Sequence, residues 1–198
     1  MIAPEDVLSF WFGPLDAPDY PQNHMAKWWK KDPAFDASCR EAFAEALDAS
    51  GRGELAHWAE TADGRQAHIL LIDQLSRNMH RDTGAMYAQD DLGLELCLLS
   101  LAHGDAWGRQ YREVQFFLMP LMHAEDRVIQ RLSVRMFARA VASASDDDRK
   151  GAEGGLDYAE RHAAIVERFG RFPHRNALLG RDSTAEEIAF LKEPGSSF

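Results

Sequence analysis

Two cysteines in 198 residues are too few for a disulfide scaffold or a cysteine-built metal centre. Cys39 and Cys97 lie far apart among apolar, helix-patterned residues. Their expected state is that of buried free thiols, which suits a reducing cytoplasm. No His-x-x-x-His pair replaces them, so neither a metal site nor a cofactor is expected. A glycine-rich phosphate loop and a Gly-x-Ser-x-Gly elbow are also missing. No apolar run approaches the roughly 20 residues that span a bilayer, so no membrane partner is expected. The start Met1-Ile2-Ala3-Pro4-Glu5-Asp6 carries neither the basic region nor the apolar stretch of a signal peptide. Positive charge is in deficit: 22 Lys and Arg stand against 32 Asp and Glu, a net charge of -10. Non-specific nucleic-acid binding needs many basic phosphate contacts, and this balance argues against it.

What the chain does have is helical period and enough apolar residues, 45%, to build one core. The pattern predicts helices over residues 6–12, 22–31, 35–49, 63–80, 90–103, 111–118, 125–143, 147–169 and 183–192, with a brief turn at 55–59. Gly13, Gly51, Gly104 and Gly170 mark stops, and Pro120 follows the helix over 111–118. Ser183 and Glu186 have capping-box spacing. Linkers are short, so residues 1–198 read as a single all-α domain with a frayed tail at 193–198. Successive helix-turn-helix pairs suggest antiparallel hairpins in a compact, α-solenoid-like stack of the tetratricopeptide-repeat kind.

Polar residues on apolar faces are the first candidates for function. Ile69, Leu70, Leu71 and Ile72 point in well-separated directions at 100° per residue, which predicts a buried central helix. Asp73, Gln74, Arg77, Asn78 and Arg81 share one side of it. Asp73 and Arg77 are i,i+4 and can pair. Either they fix helix packing as an internal ion pair, or they form one wall of a ligand site. His162 falls in the middle of an apolar face, as a satisfied core residue or a site residue. Gln130 projects from the apolar side of its helix and needs partners there. The Arg127, Arg131, Arg135 and Arg139 stripe reads as a solvated face, with an acidic partner as the lesser reading. His123 sits beside Glu125 and Asp126, as a general base with its orienter or as part of a helix cap.

A further concentration lies near the end of the chain. Residues 167–187 hold Arg168, Arg171, Arg175, Arg181 and His174 in an acidic protein. Arginines this close repel one another unless carboxylates, carbonyls or an anion sit among them. Gly170, Pro173, Gly180 and Ser183 frame a rigid connector that holds Arg171, His174, Arg175, Asn176 and Arg181. Arg-Asn occurs twice, at Arg77-Asn78 and Arg175-Asn176. If the two meet, one pocket offers several fork-like donors, suited to carboxylate or phosphate. The plainer alternative is a clasp in which these arginines bind Asp73, Glu125, Asp126 and helix C-terminal carbonyls.

Phe10-Trp11-Phe12-Gly13, Trp28-Trp29, Asp73-Gln74-Leu75-Ser76-Arg77-Asn78, His123-Ala124-Glu125-Asp126 with Gln130, and Phe169-Gly170-Arg171-Phe172-Pro173-His174-Arg175-Asn176 resemble one family over nearly the whole chain. It is an uncharacterised, mainly bacterial family, catalogued as a domain of unknown function and placed among tetratricopeptide-repeat-like helical folds. This chain departs from it at Leu75-Ser76, where the family tends to Phe-Pro, and at Ala124, where it tends to Ser. The second departure removes an N-cap hydroxyl from any catalytic set built on His123. The resemblance implies an α-helical fold and carries over no activity.

Three functions follow as expectations. One is a helical binding protein whose groove grips a small anion or an acidic peptide segment through Arg77, Arg171, Arg175 and Arg181, with Asp73, Asn78, Arg81, Gln130, His162 and Asn176 around it. Another is a hydrolase or lyase using His123 or His174 with Glu125 or Asp126 and arginine as oxyanion holder. The third is a purely structural polar clasp, with homo-oligomeric association through exposed tryptophans.

Overall fold

The computed structural model describes residues 2–197, apart from the side chain of Met25, and no strand occurs among them. Helix starts follow their caps. Pro4 opens α1 (Pro4–Phe12), and Asp6 reaches back to accept the Ala3 N–H at 2.8 Å. The short α2 (Met25–Trp29) precedes α3 (Pro33–Gly51), where the Asp32 carboxylate accepts from the Ala34 and Phe35 amides. Asp126 caps α8 (Arg127–Ser143) and Ser145 caps α9 (Asp146–Phe169) in the same way. Gly170 ends α9 in the left-handed region at φ 73°, a conformation that a side chain disfavours.

The centre is one continuous helix of mixed pitch. α4 (Ala62–Ile69) passes into a π-helical segment (Leu70–Leu75) and then α5 (Ser76–Met79). Ile69, Leu70, Leu71 and Ile72 are fully buried because α1, α3, α6 (Asp90–His103) and α7 (Tyr111–His123) surround them. Each such side chain contributes about 1.5–3 kcal/mol by leaving water. Trp11 and Phe12 of α1 are also fully buried. Trp28 lies 6.1 Å from Trp11 in a stacked arrangement, and Phe116 meets all three edge-on. The tryptophan-rich beginning therefore packs inward through Trp28, while Trp29 remains half exposed against Phe116.

Connectors of two or three residues force α7, α8 and α9 to run antiparallel in turn. After α9 the chain crosses back over the start of α6. A Cβ on Gly84 would stand 2.6 Å from the Leu178 carbonyl oxygen, so this close approach requires glycine. The last helix, α10 (Ala185–Phe190), is capped by Thr184 with Glu187 rather than by Ser183 with Glu186. Residues 193–197, expected to fray, continue as turns, and Ser196 is buried with its hydroxyl donating to the Leu191 carbonyl. Phe198 lies outside the described residues.

Candidate functional site

The π-helical turn prepares the site. Its wider pitch sends the Ser76 amide to Leu71, and two carbonyls of the turn take side-chain donors. Ile72 O accepts the Ser76 hydroxyl, and Asp73 O accepts Arg77 Nη1, each at 2.6 Å. The Asp73 carboxylate is buried. One oxygen meets His123 Nδ1 at 2.6 Å and Arg77 Nη1 at 3.2 Å, and the other accepts Gln74 Nε2 at 2.5 Å. Burial opposes ionisation of Asp73, but Arg77, His123 and Gln74 outweigh it and hold the carboxyl below its usual range.

His123 arrives from the last turn of α7, which continues through Pro120 instead of stopping before it. Gln130 of α8 sets that end. Its Nε2 donates to the Met122 and Ala124 carbonyls at 2.7 Å each, on either side of His123. No hydrogen bond reaches His123 Nε2 among the described residues, and the side chain stays 12% exposed.

Arg77 links this dyad to the terminal motif. Its Nη2 bonds both Asp90 oxygens at 3.0 and 3.1 Å, and Arg175 Nη1 reaches Asp90 Oδ2 at 3.3 Å. The two Arg-Asn segments thus meet through Asp90 and not through their asparagines. Asn78 donates to Asp36 at 2.8 Å, and Asn176 donates to Ser183 at 3.0 Å. The Arg175 guanidinium lies 4.5 Å from the Tyr87 ring and 4.5 Å from the Phe172 ring. It is 6% exposed, and its Nε has no acceptor among the described residues. Burial lowers its affinity for its proton, and it pushes the Asp90 carboxyl up against the pull of Arg77.

The other arginines are committed to carboxylates. Arg81 forks onto Asp36 at 2.7 Å through both contacts. Arg171 forks onto Glu187 at 2.7 and 2.8 Å, and these hydrogen bonds, against the opposing effect of burial, draw the Glu187 carboxyl down to about 2. Arg181 holds Glu125 at 2.5 and 2.9 Å, and the Phe172 amide donates to the same carboxylate at 2.7 Å. Glu125 is therefore not the partner of His123, and Asp126 is the cap of α8; the expected dyad is replaced by His123–Asp73. Burial resists ionisation of Glu125, yet Arg181 and the Phe172 amide keep its carboxyl below the usual range.

His162 lies 6.2 Å from the His123 ring and 5.5 Å from Phe172, and its Nδ1 bonds the Tyr158 carbonyl at 2.7 Å. Burial lowers His162 to about 3 and His174 to about 4. Both are thus neutral imidazoles at the edge of the cluster. His174 packs on Phe172 and faces the tail at Ser196. Gln130 also lines a cleft of about 440 Å³ between α8 and α9 together with Arg131, and Arg77, Arg175 and Arg181 do not line it.

Asp73, Arg77, His123, His162, Arg175 and their neighbours thus come together, whereas Arg81 and Arg171 are held in separate pairs. Asp90 and Tyr87 belong to the cluster without having been marked by the sequence. Asp90 had the appearance of an ordinary acidic helix start. No group of three or more His, Cys, Asp or Glu side chains with metal-ligating geometry occurs among the described residues. No helix among them is long and apolar enough to cross a membrane.

No curated protein matches the chain significantly. A solved structure of a protein of unknown function from Agrobacterium tumefaciens, ATU0120, is similar to it: 35% identical, with 96% of each chain covered and a TM-score of 0.77. The family of bacterial proteins of unknown function designated DUF924 matches residues 7–195, which spans the π turn, the dyad and the terminal motif, and the chain belongs to that family.

Proposed function

We propose that this protein binds a small anionic ligand at the cluster, with Arg175 as its anchor. The carrying observation is the buried Arg175 Nε, which has no acceptor among the described residues. An unpaired buried donor costs about 1–3 kcal/mol, and a carboxylate or phosphate oxygen placed there recovers it. Among the arginine candidates the choice narrows to Arg175, because Arg171 and Arg181 already grip Glu187 and Glu125. A compact anion suits such a site better than an acidic peptide segment. The antiparallel run of α7, α8 and α9 is the part of the fold that supports a repeat-like, tetratricopeptide-type stack behind it.

Thermal shift across small carboxylates and phosphates tests the reading, because a ligand selective for the native state raises its melting temperature. The expected result is a concentration-dependent rise that Arg175→Met abolishes. No rise with any anion, or an equal rise in the variant, removes Arg175 as the anchor.

A second reading has its own observation, the 2.6 Å contact between His123 Nδ1 and Asp73. A buried carboxylate that orients a histidine is the arrangement of a general base, which supports a hydrolase or lyase acting on the bound anion. His123→Gln then removes turnover in a substrate screen while sparing the fold, and unchanged turnover excludes it.

A further inference from the structure

The charges of the cluster balance before any ligand arrives. Asp73 and Asp90 face Arg77 and Arg175, while Glu125 and Arg181 form a closed pair beside them. A hydrogen-bonded chain runs from His123 through Asp73, Arg77 and Asp90 to Arg175. An added anion leaves this buried set with one uncompensated negative charge, which a low-dielectric site strongly disfavours. Geometry adds a second obstacle. With Nδ1–H donating to Asp73, a neutral His123 presents a lone pair at Nε2, and a lone pair cannot bond an anion.

From these two facts we infer that the ligand binds together with one proton, taken up by His123. Protonation turns Nε2 from acceptor into donor and restores the charge balance. The imidazolium then donates to Asp73 through Nδ1 and to the ligand through Nε2. The inference rests on the binding reading above and specifies how that site is regulated.

The other titratable groups facing the dyad are poorly placed to take this proton. On α9, His162 is depressed by burial to about 3, and its Nδ1 already bonds the Tyr158 carbonyl. His174 on the terminal motif is depressed to about 4, again by burial. In the π segment, Asp73 is held ionised by Arg77 and His123 against its burial. Asp90 at the start of α6 has its carboxyl raised by burial, but Arg77 occupies both of its oxygens. Glu125, between α7 and α8, is closed by Arg181 and the Phe172 amide.

The experiment follows the nitrogen resonances of His123 in the full chain while acetate or sulfate is titrated between about pH 6 and 8.5, where neither probe changes charge. Affinity is expected to fall about tenfold per pH unit wherever the free protein lacks that proton, and saturation to convert His123 to the imidazolium signature. Binding with a flat pH profile and a neutral His123 overturns proton coupling and leaves the binding reading standing. No binding of either probe overturns both. His123→Gln, checked for native circular dichroism, is expected to lose the pH slope; a slope that persists assigns the proton to Asp90 or another group and overturns the role of His123. Should that variant fail to fold, the wild-type resonances decide alone.

Discussion

At the α4 end of the molecule, Arg65 and Arg109 sit among carboxylates much as Arg77 and Arg175 do at the other. Arg65 bonds Asp105 at 2.7 Å and the Ala59 carbonyl at 2.5 Å. Arg109 bonds Asp63, Glu113, Gln66 and the Asp105 carbonyl. No side-chain atom of these residues is buried without a partner among the described residues. Around the terminal motif, by contrast, Arg175 Nε, Arg181 Nε, Asn176 Oδ1 and Gln130 Oε1 are buried and unmatched. Similar residue types thus give a closed brace in one place and a brace with spare hydrogen-bonding capacity in the other. Folding alone accounts for the first. On the binding reading proposed above, the second is where a ligand has something to add.

The largest effect should come from the shared centre of the second network. Asp73→Ala leaves Arg77 and His123 without their common carboxylate and is expected to cost about 3–5 kcal/mol in urea unfolding. A loss below about 1 kcal/mol would mean that the cluster does not brace the central helix. In the closed network, Arg65→Met strands Asp105 in a buried position and should cost about 3 kcal/mol.

Acidity gives the next effect. His162 is depressed to about 3 and His68 to about 4, both by burial, whereas an unfolded histidine titrates near 6.5. Between those values the unfolded chain binds more protons, so stability is full above about pH 6.5 and falls as pH drops. Each histidine contributes about 1.4 kcal/mol per pH unit in that window. Denaturation midpoints from pH 7 to 5 should show this slope, and His162→Phe should remove one histidine's share.

Arg175→Met leaves the buried set one positive charge short and should cost about 1–2 kcal/mol, less than Arg65→Met. Arg77 continues to hold Asp90, and the substitution removes the unmatched Nε along with the charge. If it destabilises as much as Arg65→Met, the contrast between the two networks fails.

Much of the helical order was legible because period and punctuation are local. Gly104, Gly170 and the capping residues of α8 and α9 act within a few positions of themselves. The Asp73–Arg77 pairing followed from i,i+4 spacing. The π segment did not, since a regular 100° step cannot reveal a wider turn. Pro120 suggested a helix end, yet a proline removes one amide bond and α7 needs only three further residues to close. Ser183–Glu186 and Thr184–Glu187 have equal spacing, and the fork from Arg171 to Glu187 decides for the second. Adjacency misled at His123, where Glu125 is near in sequence but turned to Arg181. The true partners, Asp73 for His123 and Asp90 for Arg175, are 50 and 85 positions away.

That last separation has a consequence for synthesis. While the ribosome is still producing the terminal motif, the π turn and the start of α6 are already complete, with Arg175 not yet delivered to Asp90. The nascent chain can settle its aromatic core first, and the bond between Arg175 and Asp90 forms only once the terminal motif has emerged.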